Sequence, residues 1–381
     1  MCTDPQIFVH FCAPSSPLPL VSFLQTLFFI IAAYFEFDKV TDFAGGTNFT
    51  LVAVLTFLLS GSYYTRQILV TTASALWGVR LSLYLLMRII KIGKDERFKD
   101  KKRGFSLEFA AFWVAQATWV FVVSSPVVLL NSRCMADTPL DARDWIGLSI
   151  WLVGFLIEAV SDQQKFRFRN APANKGKFCN VGLWSVSRHP NYFGEIVLWW
   201  GLFVTSCGVF TPSMYWSIIG PGMITLLLLF VSGVNLLEDS SDKRYGTLPE
   251  YLEYKKSVSI LIPFPPSLFR ILPPVIKLLF FFEWPMYSRE LLKLQQGASE
   301  GGEGGEGSVE DRVSRPAQRG EGGGGGLLLP PPHAHRGIRS CVWSHVTHMN
   351  ASGHVQMHQI TLIQMSGKEA LFLQGLFAKE T

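Results

Sequence analysis

Seven apolar blocks set between short polar stretches constrain this chain more than any other feature. They run Leu18 to Phe35, Phe49 to Ser62, Ile68 to Ile90, Leu107 to Leu130, Trp145 to Val160, Gly194 to Val209 and Trp216 to Leu237. A helix needs about 20 apolar residues to cross the hydrocarbon core, so the second, fifth and sixth blocks are short spans. The pattern predicts an all-α fold, a multi-pass transmembrane helical bundle of about seven spans. Composition agrees: 49% of the 381 residues are hydrophobic and 17% charged, against about 25% charged in soluble domains. A soluble domain and a wholly disordered chain are both excluded.

Lys and Arg counts orient the spans. The segments Lys91 to Ser106, Asp162 to Tyr192 and Glu238 to Ile260 hold seven, six and four of them. Two spans separate each rich segment from the next, so all three share the cytoplasmic face and the N-terminus lies opposite. The first apolar block lacks a basic leader and is expected to remain as a span. Asn48-Phe49-Thr50 is a glycosylation sequon that this topology leaves bare. The six cysteines contain no C-x-x-C pair, and no metal site is expected. With the basic residues confined to particular loops, the net charge of +5 does not imply a nucleic-acid partner.

From about Gly297 the chain turns Gly- and Glu-rich, then Pro- and His-rich, and is expected to be disordered. The expected division is a membrane unit over 1–290, with its chemistry near 145–266, and a low-complexity tail over 291–381. Gly302, Gly304 and Gly307 satisfy G-x-G-x-x-G in that tail, but no strand precedes them and Glu303 and Glu306 would repel a pyrophosphate. The tail pairs His345/His348 and His354/His358 suggest adventitious metal affinity rather than a zinc site. The Leu268 to Phe282 stretch, broken by Pro273-Pro274, is expected at the interface or against the bundle.

Polar groups collect where the fifth block ends. Asp162, Gln164, Lys165 and Arg169 continue it, and Lys165 and Arg169 share a helical face. Such a pair is either a positive-inside anchor or a clamp on phosphates. Trp184, Ser187, Arg188, His189, Pro190, Asn191, Tyr192, Gly194 and Glu195 lead directly into the sixth block, with Glu195 also suited to the start of a helix. After the last block come Glu238, Asp239, Asp242, Lys243, Arg244, Tyr245, Gly246, Tyr251, Tyr254, Lys255 and Lys256.

The ordered combination Trp184-x-x-Ser187-Arg188-His189-Pro190-Asn191-Tyr192-x-Gly194-Glu195 with Arg244-Tyr245-Gly246, Tyr251, Tyr254 and Ile262-Pro263 resembles the steroid 5-alpha-reductase superfamily. The nearest branch is its uncharacterised reductase-like membrane proteins. Gln164-Lys165-x-x-Phe168-Arg169 also resembles a motif of the sterol C14 and C7 reductases. The resemblance covers roughly residues 40 to 266. It implies an endoplasmic-reticulum membrane reductase that uses NADPH to saturate a conjugated carbon–carbon double bond of a lipophilic, steroid- or enoyl-lipid-like substrate.

By the same resemblance, Lys165 and Arg169 meet the adenosine phosphates, with Asp162 and Gln164 beside the cofactor. Trp184, Arg188, His189, Asn191 and Tyr192 lie on the nicotinamide side. Arg244, Tyr245 and Tyr254 form a cofactor lid, and Tyr192 and Glu195 are the catalytic candidates. The family's Glu and Tyr that polarise the substrate carbonyl have no motif match here. Tyr34, Glu36, Arg80, Tyr84 and Glu108 are the substrate-side candidates by position. Arg80 sits mid-span, at a cost of about 2.5–3.5 kcal/mol unless it faces a cavity or partner, and Glu108 and Glu158 are candidate structural partners. Two alternatives stay open. Arg188-His189-Pro190-x-Tyr192-x-Gly194 with Glu238-Asp239 also fits the isoprenylcysteine carboxyl methyltransferases, and a non-catalytic sterol-binding scaffold is the other.

Overall fold

A computed structural model describes residues 17–34, 40–92, 106–132 and 137–302. Among them the chain is helical, without a strand: α1 Pro17–Tyr34, α2 Val40–Ser60, α3 Thr65–Ile92, α4 Leu107–Val123, α5 Ser125–Leu130, α6 Ala142–Asn170, α7 Pro190–Ser206, α8 Ile219–Leu226, α9 Val234–Tyr245, α10 Pro249–Ser257, α11 Pro266–Ile271, α12 Pro274–Phe280 and α13 Arg289–Gly302. Every expected apolar block falls on helix. By length and composition, Phe43–Ser60, Thr65–Arg88, Ala142–Asn170 and Pro212–Tyr245 suffice to cross a membrane, and Val21–Tyr34 and Phe109–Val123 are shorter apolar helices. The fifth block gains most, because its helix continues through the polar residues to Asn170. The basic segment 93–105 and the low-complexity tail from 303 onward lie outside the described residues.

Helix α6 shows why this is a membrane protein. Its buried face carries Asp144, Gly147, Trp151, Gly154, Glu158, Ser161 and Asp162, while Leu152, Val153, Leu156 and Val160 point outward. That arrangement inverts the soluble pattern, with apolar residues outside and small or charged ones inside.

Small residues decide how the helices dock. A Cβ on Gly154 would lie 2.6 Å from the Gly194 carbonyl and the Leu198 amide, and one on Gly201 would lie 2.5 Å from the Trp151 amide. Helices α6 and α7 therefore touch backbone to backbone. Gly46 and Gly78 do the same for α2 and α3, each placing a Cβ against the other's carbonyl at 3.2 and 2.9 Å. Between these pairs Phe49 meets Trp77, Trp119 and Trp199 at 5.1, 4.9 and 5.3 Å between ring centroids.

At one end of α6, Asp141 and Asp144 form a capping box. Asp144 also takes both forks of Arg66 at 2.6 and 2.7 Å. At the other end of α6 stand Asp162, Lys165 and Arg169. The last apolar block does not run straight into α9. It widens into a π-helical turn, Leu227–Val231, and breaks at Gly233, where a Cβ would collide with the Leu228 backbone. Such turns recur at functional sites, and this one delivers the acids of α9 to the polar end. Asn48 of the sequon is wholly buried within α2, so a glycan has no room there.

Candidate functional site

The loop before α7 is stitched down before it offers any chemistry. The Arg188 amide donates to the Ser259 carbonyl at 2.8 Å, Ser187 Oγ to the Leu261 carbonyl at 2.7 Å, and the Phe264 amide to the Val186 carbonyl at 3.0 Å. Pro190 then opens α7 with its backbone angle already helical. Gly194, one turn on, is where α7 meets Glu158: a Cβ there would lie 2.6 Å from the Glu158 amide.

A buried ion network holds this loop against α9 and α10. Arg188 donates to the carbonyls of Lys255 and Val258, both at 2.8 Å, and to Glu283 at 3.0 Å, and pairs with Glu238 at 3.2 Å. His189 Nε2 sits 2.8 Å from Glu238. Lys255 donates to both Asp242 oxygens at 2.7 Å and to the Tyr287 carbonyl at 2.8 Å, with Glu238 at 3.1 Å. Tyr251 donates to Asp242 at 2.8 Å. Burial alone would lower the Arg188 pKa, but Glu238 and Glu283 outweigh it and hold the guanidinium above its ordinary value. Burial pushes the His189 imidazole down, against the pull of Glu238. It pushes the Glu283 carboxyl up, against Arg188.

A second cluster joins α3 to α6. Arg80 donates to Glu158 at 2.9 Å and to Asp162 at 2.5 Å, and Trp77 Nε1 donates to the second Glu158 oxygen at 2.8 Å. Glu158 is 0% exposed. The Arg80 guanidinium also lies 5.5 Å from the centre of the Tyr84 ring. Arg80 thus faces a partner, as its mid-span position requires, and the partners are Glu158 and Asp162. Glu36 and the side chain of Glu108 lie outside the described residues, and Tyr34 is largely exposed.

The remaining cations face differently. Lys165 Nζ stands 4.4 Å above the Trp184 ring. Among the described residues, Lys165, Arg169 and Arg244 have no carboxylate partner. Gln164 accepts from the Leu183 amide at 2.8 Å, and Trp184 Nε1 donates to the Ser161 carbonyl at 2.9 Å. Phe178 packs on Tyr245, Tyr251 and Tyr254 at 5.9, 5.4 and 5.2 Å. Tyr254 donates to the Trp184 carbonyl at 2.6 Å, and Tyr245 to the Lys177 carbonyl at 3.3 Å. These tyrosines therefore brace an aromatic wall and offer ring faces rather than free hydroxyls. Asn191 is buried with its Oδ1 unpartnered. Tyr192 and Glu195 are buried beside it on α7, and Tyr192 stacks on His189 at 5.8 Å.

The structure brings the expected residues to one end of the α6–α7 pair but divides their tasks. Arg188, His189 and Asp162 are engaged in ion pairs or hydrogen bonds, while Lys165, Arg169 and Asn191 keep unsatisfied capacity. Glu283 was not among the expected site residues. Its signal is a lone acid inside the aromatic run Phe280-Phe281-Phe282-Glu283-Trp284, a costly place for a charge without a partner.

Residues 28–258 match the family described as "protein of unknown function (DUF1295)". That span is more than half of the chain. The chain belongs to this family. The chain is similar to 3-oxo-5-alpha-steroid 4-dehydrogenase 1 of Macaca fascicularis and of Homo sapiens, each 30% identical over 142 residues, 35% of this chain and 49% of the relative. It is also similar to an uncharacterised protein of Schizosaccharomyces pombe, 24% identical over 172 residues, 39% of this chain and 47% of the relative. The chain spans about half the length of the curated relatives it matches. No solved structure matches it. Glu283 falls beyond the DUF1295 segment, so the buried network reaches past the part that defines the family.

Proposed function

We propose that this protein is a membrane-embedded reductase that uses NADPH to saturate a conjugated carbon–carbon double bond in a lipophilic, steroid-like substrate. The observation that carries the reading is the contrast within one polar end. Arg188 and Lys255 are neutralised by acids, whereas Lys165 and Arg169 have no carboxylate partner among the described residues and stand beside an aromatic shelf. Unpaired cations next to aromatic faces suit a phosphate-bearing aromatic cofactor. The buried, unpartnered Oδ1 of Asn191 suits an amide donor such as that of nicotinamide. S-adenosylmethionine has no phosphate for Lys165 and Arg169, which favours reduction over methyl transfer. The names of the steroid dehydrogenase relatives support the same class of chemistry.

Under this reading Lys165 and Arg169 hold phosphates, while Trp184, Asn191 and the Tyr245/Tyr254 wall hold the rings. Gln164 keeps the Trp184 loop in register, and Arg188, His189 and Asp162 position rather than bind. Arg244, exposed at the end of α9, adds positive potential. NADPH supplies the hydride, and the protein keeps the site dry and oriented. Addition across the double bond takes one hydride and one proton, the latter from Tyr192 Oη or the Glu195 carboxyl. Arg80 and Tyr84, with Glu108 on α4, belong to the substrate side, and the substrate enters from the bilayer. The reductase unit is residues 1–290 and its cofactor half about 145–266; the tail of 291–381 begins inside α13, whose Leu291 and Leu294 lie against Gly246. The protein resides in the endoplasmic reticulum.

The test is cofactor binding by the full chain in detergent. NADPH is expected to bind, and Lys165→Ala and Arg169→Ala are each expected to weaken it at least about tenfold, the loss of one charge-assisted contact. Binding of S-adenosylmethionine alone would overturn the reading in favour of methyl transfer. Binding of neither would favour a scaffold.

A further inference from the structure

Between Phe264 and Glu283 the chain leaves the polar end and returns to it, forming a finger made of α11 and α12. Both ends of the finger are tied. The Phe264 amide donates to the Val186 carbonyl at 3.0 Å, and Glu283 accepts from the Ile260 amide at 2.7 Å and from Arg188 at 3.0 Å. Just past Glu283, Trp284 stacks on Phe230 at 5.1 Å, within the apolar segment Pro212–Tyr245 that is long enough to cross a membrane. The base of the finger therefore stands against the last span.

The finger fills its own interior. Phe264 and Phe269 pack on Phe281 at 4.9 and 5.3 Å between ring centroids, and Lys277 Nζ lies 4.7 Å from the centre of the Phe269 ring. What remains outside is apolar. Leu268, Ile271, Val275, Leu279 and Phe280 are all exposed, Ile271 at 75% and Phe280 at 65%. On α12 the outer residues are ordered by the helical period: Val275 and Leu279 share one face, and Lys277 falls on the opposite one. Arg270 pairs with the exposed Glu253 at 2.7 Å, whereas Lys277 has no carboxylate partner among the described residues.

An apolar face of this density marks a contact with lipid or with another protein. Two features select lipid. A lone lysine behind an apolar arc is the arrangement in which the side chain snorkels to headgroups. The base of the finger also rests on a membrane-crossing segment whose own Ile219 and Leu226 point outward. We propose that residues 266–280 are an interfacial anchor lying in the leaflet nearest the polar end, with Ile271, Val275, Leu279 and Phe280 among the acyl chains and Lys277 at the lipid phosphates. Helices of this kind sit with their apolar face about 5–10 Å into the boundary between headgroups and chains. Since the finger begins at Phe264 and ends at Glu283, the anchor fastens the Arg188 network to the membrane surface. It stands on the finger's own geometry and does not depend on the reductase reading.

The experiment puts a nitroxide on Ile271→Cys, Val275→Cys or Leu279→Cys of the full chain, with its six native cysteines changed to serine, in vesicles of phosphatidylcholine and phosphatidylserine. Collision with oxygen, which concentrates in lipid, is compared with collision with a water-soluble nickel chelate, and Glu250→Cys on the exposed part of α10 serves as the water reference. Oxygen is expected to dominate at all three finger positions. Lys277→Glu is expected to shift Val275→Cys and Leu279→Cys toward the nickel chelate. Dominant nickel collision at the three positions overturns the proposal by placing the finger in water. Weak collision with both reagents overturns it in favour of a protein partner, such as a second copy of this chain. An unchanged profile in Lys277→Glu overturns the phosphate contact. Should the serine background not fold, a carbene-bearing lipid photolysed against the unaltered chain is expected to mark residues 268–280 as it marks the spans. Marked spans with an unmarked finger would overturn the anchor equally.

Discussion

Arg80 on α3 reaches two acids of α6 at once, Glu158 at 2.9 Å and Asp162 at 2.5 Å, across about 80 residues of sequence. With Trp77 to Glu158 and Arg66 to Asp144, it is one of three polar ties from α3 to the helix that leads into the motif. Removing it leaves two buried carboxylates facing each other's field. Arg80→Ala is therefore expected to cost about 3–5 kcal/mol, seen as a large fall in thermal stability in detergent. Asp162→Asn, which keeps a hydrogen-bond acceptor, is expected to cost clearly less. Equal losses for the two variants would show that charge compensation is not what Arg80 provides.

The backbone contact of α6 and α7 makes a sharper prediction. Gly154→Leu and Gly194→Leu insert atoms where even a Cβ lies 2.6 Å from backbone, and each is expected to cost at least about 1–3 kcal/mol. Gly222, inside α8, has nothing within 4 Å of its Cβ position. Gly222→Ala is thus expected to be neutral or to stabilise by about 0.5–1 kcal/mol. A thermal-shift series over these three variants checks both signs together.

Stability should fall with acidification below about pH 6.5. The folded protein holds the His189 pKa below its ordinary 6.5, so between the two values the unfolded chain binds the extra proton and stability drops as pH falls. Glu238, Lys165 and Arg188 are the charged neighbours that tune this step, the acid raising the pKa and the two cations lowering it. Glu283 works in the opposite sense: its raised pKa favours the protonated folded state, so its contribution is lost as pH rises through that value. Replacing His189 with Gln should flatten the slope just below pH 6.5. An unchanged slope in chemical denaturation across pH 5–7.5 would assign the effect elsewhere.

Asn191 separates binding from folding. Its unpartnered Oδ1 gives the fold nothing, so Asn191→Leu is expected to leave the melting temperature unchanged or raise it while weakening NADPH binding about tenfold. A variant that loses stability and binding in parallel would make Asn191 a packing residue.

The architecture was legible where it rests on periodicity. All seven apolar blocks proved helical because apolar runs of that length have no other stable form in lipid. The residues of the polar end were legible too, since Arg188, His189, Glu238 and Lys255 are dense and expensive to place near a bilayer. Their division of labour was not. Arg188 and Lys165 look alike as cations, and only the positions of Glu238, Asp242 and Glu283 show that the first is neutralised and the second is not.

The Arg188 knot also sets an order of events during synthesis. Its loop emerges from the ribosome well before the residues that complete it: Glu238 follows 49 or 50 positions later, and Glu283 only 95 positions after Arg188. Two further apolar segments must be placed, and the chain must turn at Gly233, before the guanidinium has its full set of partners. The helices can thus be in the membrane while the polar end is still open. That end is the last part of the molecule to close, and a chain that stops translating near residue 266 would be inserted yet unfinished.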